Sequence, residues 1–237
     1  MTKTVIAGGA RTPIGRLSGG FASLSGAELG GHAIAAALER SNVAASDVDY
    51  VIMGQVLMAG QGQVPARQAA VKAGIPLNVP AVNINKVCLS GLNTIYLADQ
   101  MIQSGDADIV VAGGMESMTN APHLLPKSRE GYKYGDVNLV DSMAYDGLFC
   151  AFDQVAMGAG TEAYNTSKYQ LTRAEQDAFS ARSHQLAARA WKDGLFDDEV
   201  VTVTIPQRRG DALEFRTDQG ADFNGHAPTC AHQSLRL

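Results

Sequence analysis

The sequence predicts an α/β fold, with helices packed on a largely parallel sheet, on three observations. Short β-branched runs alternate with alanine-rich segments up to about residue 118. The alanine-rich segments carry apolar residues at helical spacing, and glycines fall at several of the junctions.

Residues 4–7 read as a strand and 27–40 as a helix, with Leu29, Ile34, Ala37 and Leu38 on one stripe. Residues 50–57 return to strand character, 64–73 to helix and 79–84 to strand. The helix over 89–103 carries Leu92, Ile95, Tyr96, Met101 and Ile102 near helical spacing and stops at Gly105 and Asp106. A strand over 107–112 runs into Gly113-Gly-Met-Glu-Ser117, which reads as a turn because glycine takes backbone conformations that bulkier residues resist.

Between 120 and 146, Pro122, Pro126, Gly131 and Gly135 interrupt any period, so an irregular connection is expected. Helical character resumes over 153–169, and Thr172-Arg-Ala-Glu175 is a capping box opening a helix that runs to Asp193. Residues 199–205 and 213–217 form a hairpin about Arg208-Arg-Gly-Asp211. No alternation survives in 220–237, which is expected to be a disordered tail.

Composition narrows the function classes. At 237 residues, 46% hydrophobic and 18% charged, the chain can bury a sizeable core and does not have the makeup of a disordered protein. A net charge of −5 without a basic cluster argues against a nucleic-acid surface. No apolar run reaches membrane-spanning length and the start lacks a signal peptide, so a cytoplasmic location is expected. Cys88, Cys150 and Cys230 are odd in number and lack metal-ligand spacing, so free thiols and no metal site are expected.

Cys88 lies between a predicted strand and the first turn of a predicted helix, where free backbone N–H groups favour a thiolate. A helix terminus stabilises a nearby anion by only about 0.3 to 1 kcal/mol, so an efficient sulfur nucleophile there needs a base as well. Position alone favours a packed core cysteine, free cysteine being among the most buried residue types.

Asn85-Lys-Val-Cys-Leu-Ser-Gly-Leu-Asn-Thr-Ile95 resembles the acyl-cysteine segment of the thiolase family. Arg11-Thr-Pro-Ile-Gly-Arg16, Gly54-Gln-Val-Leu-Met-Ala-Gly-Gln-Gly62, Pro65-Ala-Arg-Gln-Ala69 and Val111-Ala-Gly-Gly-Met-Glu-Ser-Met-Thr-Asn-Ala-Pro122 accompany it in family order. The resemblance continues through Gly147-Leu148, Met157-Gly158 and Leu171-Thr-Arg-Ala-Glu-Gln-Asp-Ala-Phe179 and covers about residues 3–219.

The resemblance implies a thiolase-like fold with its N-terminal αβα half over 1–118, incomplete, a loop domain covering the coenzyme A channel over 119–219, and an aberrant tail over 220–237. It also implies transfer of an acyl group between coenzyme A thioesters through an acyl-cysteine at Cys88, in fatty acid metabolism. Leu148 and Met157 would line the pantetheine path, and the protein would be a homo-oligomer using coenzyme A and acyl-CoA as substrates, with no permanently bound cofactor.

The family's C-terminal half supplies an activating histidine, a second cysteine and a water-orienting asparagine, and this chain is expected to lack it. Neither His226, in Gly225-His-Ala-Pro228, nor Cys230 fits those roles, and Cys150 matches none. Ala156 stands where several short-chain thiolases have a histidine. A truncated, noncatalytic thiolase fragment, with a tail read out of frame, is therefore the alternative expectation. A ketoacyl synthase-like enzyme ranks lower, because 111–122 is closer to thiolases, and a cysteine hydrolase has no local signature.

Overall fold

In a computed structural model of the chain, which describes residues 3–207 and 209–220, three parallel strands form the centre. They are β1 (Tyr50–Gly54), β2 (Ala81–Ile84) and β3 (Val110–Gly114), in the order β2-β1-β3. Val51 pairs with Ala81 on one side and Val111 on the other.

Helix α1 (Gly26–Ser41) starts at a capping box in which the Ser25 side chain accepts from the Glu28 amide and Glu28 accepts from the Ser25 amide. These bonds, led by the one from the Ser25 backbone, hold the Glu28 carboxyl below its usual range. Helix α2 (Pro65–Lys72) opens with proline at its first position, and Asn83 Oδ1, from β2, accepts from the Ala66 amide at 2.7 Å. Helix α3 (Ser90–Ser104) ends on Gly105 at φ 82°.

Side-chain alternation along β1 sorts these helices into layers. Val51 and Met53 join Ala27, Ile34 and Leu38 of α1 and Ala66, Ala69 and Ala70 of α2 in one buried cluster. Ile52 and Gly54 point to the opposite face, where Gly54 abuts the start of α3. The result is an αβα arrangement, as expected for parallel strands covered on both faces. Asp49 clasps the strand starts by accepting from the amides of Ile109 and Asp108 at 2.9 and 2.8 Å, and these bonds lower its carboxyl pKa.

Beyond β3 lie two short ladders, β4 (His123–Leu124) with β5 (Val140–Asp141) and β6 (Phe149–Cys150) with β7 (Val155–Ala156). Helix α4 (Met157–Tyr164) and helix α5 (Arg173–Lys192) follow, α5 carrying the expected capping box at Thr172 and Glu175. The expected hairpin is β8 (Val203–Ile205) with β9 (Leu213–Phe215).

That hairpin returns to the start of the chain. Val203 and Ile205 share a buried cluster with Phe21, and Phe215 meets Phe21 with ring centroids 5.0 Å apart. Arg11 reaches Glu199 and Asp218, both at 2.8 Å, and lies over the rings of Phe196 and Trp191. Burial opposes the Arg11 charge, but the bonds to Asp218 and Glu199 outweigh it and raise its pKa. Gln219 Oε1 accepts from the amides of Arg16 and Gly20 at 3.0 and 2.9 Å, so residues 11–20 are held by the 199–219 segment.

Three sequence expectations need correction. Residues 4–7 are not a strand: they pair with no neighbour among the described residues, and Val5 and Ile6 are 75% and 81% exposed. A β-branched run gains little from extended structure without a neighbour to pair and pack with. Gly113 and Gly114 make no turn but complete β3, while Gly60 and Gly62 adopt the positive φ of turns. Third, the helix expected from 153 starts only at Met157, because Val155 and Ala156 pair with Cys150 and Phe149 in a ladder. The buried face of α3 is the small one of Ser90, Thr94 and Ala98, with Leu92, Ile95 and Tyr96 outward. The expected disorder of 220–237 falls, from 221 onward, outside the described residues.

Candidate active site

Cys88 sits on the elbow between β2 and α3, two residues before the first helical residue, and is exposed. Side chains of the elbow satisfy its own backbone. Asn85 Oδ1 accepts from the Val87 amide at 2.9 Å, and Ser90 Oγ accepts from the Lys86 amide at 2.8 Å while donating to the Val87 carbonyl at 2.6 Å. Val87 is thereby held at φ 51°, a left-handed conformation that β-branched residues rarely adopt.

Glycine lets the elbow approach the sheet. A Cβ on Gly54 would lie 2.5 Å from the Gly91 nitrogen, and one on Gly114 would lie 3.3 Å from the Gly91 Cα. Thr94, fully buried, donates from Oγ1 to the Gly113 carbonyl at 3.1 Å and fixes α3 against β3. Cys88 therefore stands at the C-terminal ends of β1 and β3, where α/β sheets place their ligands.

An open cleft of about 390 Å³ surrounds it, lined by residues 54–56 from β1, 114–116 from β3, and Val87, Cys88, Ser90 and Gly91. Glu116 Oε2 accepts from the amides of Val56 and Leu57 at 2.8 and 3.2 Å. Its other oxygen, Oε1, is buried with no hydrogen-bond partner among the described residues. From the wall, Gln55 accepts from Asn83 at 3.2 Å and donates to Gln61 at 2.9 Å, a part-buried chain of amides.

Leu148 and Met157 flank the ladder in which Phe149 pairs with Ala156, Leu148 just before Phe149 and Met157 opening α4, both about half exposed. Gly147, beside Leu148, lies against Leu57 and Val56, and Val56 is itself part of the cleft wall. No histidine lines the cleft among the described residues. His32 and His123 are exposed elsewhere, and Cys150 contacts Asp153, at 3.4 Å. His226, Cys230 and His232 fall outside the described residues.

No group of His, Cys, Asp or Glu that could hold a metal occurs among the described residues, nor does a helix long and apolar enough to cross a membrane. Asn85 and Glu116 stand inside the family-like motifs, yet spacing assigns them nothing. Their one sequence sign is a polar residue within two positions of the end of each strand, Asn85 directly after β2 and Glu116 two after β3.

The site is an exposed cysteine on a strand-to-helix elbow at the carboxyl end of a parallel sheet. Comparison with known proteins gives the family. The profile of the thiolase N-terminal domain matches residues 4–230, past the last motif followed above. A probable acetyl-CoA acetyltransferase of Mycolicibacterium smegmatis is 61% identical over 96% of this chain and 58% of its own length. A probable acetyl-CoA acetyltransferase of Mycobacterium tuberculosis is 59% identical over 98% of this chain and 58% of its own, and an acetyl-CoA acetyltransferase of Cupriavidus necator is 52% identical over 92% and 56%. The chain belongs to the thiolase family, and it spans somewhat over half the length of these relatives.

Proposed function

We propose that the chain is the N-terminal part of an acyltransferase acting on coenzyme A thioesters, with Cys88 as the residue that carries the acyl group. The observation that carries this reading is the placement of an exposed Cys88 in an open cleft, within a chain of the thiolase family. With a 3-ketoacyl-CoA, the Cys88 thiolate would attack the 3-keto carbon, forming a carbon–sulfur bond as the C2–C3 bond breaks and acetyl-CoA leaves as its enolate to be protonated; the coenzyme A thiolate would then take the acyl group and free Cys88. The elbow amides ahead of α3 would steady the negative oxygen formed in that step.

The division into 1–118 and a covering segment over 119–219 fits this reading. In it Leu148 and Met157 line the approach of the pantetheine arm, an apolar pair beside a segment that packs on the cleft wall. Acyl-CoA and coenzyme A are its substrates, with no resident cofactor. Homo-oligomeric assembly and a cytoplasmic place in fatty acid metabolism belong to the same proposal.

The second reading, a noncatalytic fragment, draws on the cleft wall itself, which offers no histidine among the described residues to deprotonate Cys88. The purified chain and Cys88→Ala, incubated with acetoacetyl-CoA and coenzyme A, separate the two. Acetyl-CoA formation that requires Cys88 supports the enzyme. Stoichiometric acylation of Cys88 without turnover shows a competent nucleophile lacking its base, and neither outcome leaves only the noncatalytic reading.

A further inference from the structure

Glu116 is an unusual wall for a cleft: one carboxylate oxygen accepts two backbone amides and the other is buried without a partner. An unsatisfied buried polar atom costs about 1 to 3 kcal/mol and calls for an explanation where it is retained. The bonds of the other oxygen lead toward Cys88. The Leu57 N–H, in the same peptide plane as the Val56 carbonyl, donates to Glu116, and that carbonyl accepts from Asn85 Nδ2 at 3.3 Å. Asn85 uses its remaining oxygen to hold the Val87 amide, one residue before Cys88 and at the strained φ.

We infer that Glu116 is a positioning residue for Cys88, acting through the Val56 peptide and Asn85 to hold the elbow that presents the thiol. This rests on Cys88 being the reactive residue of the site. The path from β3 to the elbow is continuous: Glu116 fixes the Val56 and Leu57 amides, the fixed Val56 carbonyl anchors Asn85, and Asn85 keeps Val87 left-handed. Without Glu116 the Val56 peptide is free to rotate, Asn85 loses its anchor, and Val87 relaxes to an ordinary conformation that turns Cys88 away from the cleft. The charge beside the cleft is then incidental to the role. What matters is an acceptor of the right length, and glutamine would serve.

The test is the rate at which iodoacetamide carbamidomethylates Cys88 across pH in the full chain, read peptide by peptide so that Cys150 is an internal control. Glu116→Ala and Asn85→Ala are each expected to slow Cys88 by about three- to tenfold at every pH, the range of one lost contact in a network, with Cys150 unchanged. The double variant is expected to match the slower single one, and Glu116→Gln to restore the rate to within about twofold. If Glu116→Ala does not fold, Glu116→Met, of similar length but without the acceptor, takes its place in the cycle.

A Cys88 rate that does not fall, single effects that multiply in the double variant, or a failure of glutamine to rescue would overturn the inference. Acylation by acetyl-CoA, run in parallel, keeps this separate from the acyl-transfer reading. Coupled alkylation without acylation leaves the positioning role standing and removes acyl transfer; acylation without coupling does the reverse.

Discussion

Val87 carries the strain of the site. A β-branched residue at φ 51° costs on the order of 1 to 3 kcal/mol, which its two local hydrogen-bond clamps must offset. Val87→Gly is expected to raise the urea midpoint, because relief of strain exceeds the added freedom of the unfolded chain, and to slow alkylation of Cys88, because the elbow loses its rigidity. Equal or lower stability, or unchanged alkylation, would count against that account. Cys88 itself was legible from its motif and from the strand-to-helix junction. The conformation of Val87 was not, since nothing in Asn85-Lys-Val-Cys88 announces a left-handed valine, which glycine or asparagine ordinarily marks. Nor was the role of Glu116, whose contacts lie 60 residues away along the chain.

Helix α3 docks on the sheet through glycine. Gly54→Ala would push a methyl group to 2.5 Å from the backbone of α3, so a loss of about 3 kcal/mol in chemical denaturation is expected. Gly91→Ala meets its nearest atom at 3.6 Å, an ordinary contact, and is expected to change stability by less than about 1 kcal/mol. Acid tests a second element contact. Asp49, which clasps β1 to β3, has its carboxyl pKa lowered from the usual 3.8 in the folded chain. Its contribution is therefore present above that value and is lost as the pH falls through the lowered one, so Asp49→Asn should lessen the fall of the thermal midpoint between about pH 4 and pH 2. The helices and the hairpin were legible because their caps and periods are local. The strand over 4–7 failed because pairing is not local. The outward face of α3 was not legible for a related reason: periodicity locates an apolar stripe, but the close approach of Gly54 and Gly114 decides which face meets the sheet.

The whole chain is closed by its two described ends. Arg11→Lys keeps the charge but gives up the paired contact with Asp218 and the stacking over Phe196 and Trp191, and a loss of roughly 1 to 2 kcal/mol is expected. Hydrogen exchange should then rise together at the amides of Ile14, Arg16 and Gly20, which Asp218 and Gln219 hold, while β1 stays protected. Exchange confined to one of the three, or spread into β1, would contradict a common latch. The α/β class was visible in the alternation of segments. The latch was not, because Arg11 and Asp218 are separated by 207 positions and no pattern of composition joins them.

That separation also sets an order of assembly during synthesis. At roughly 5 to 20 residues per second, the ribosome finishes the partner of Arg11 about 10 to 40 seconds after Arg11 itself is made. The sheet and its helices need only residues up to 114 and can settle first, while the 11–20 segment waits, open to proteases and chaperones. A nascent chain stalled before residue 199 should therefore be cut within 11–20, and one extended beyond 219 should resist, so a segment made well before the sheet is among the last to be secured.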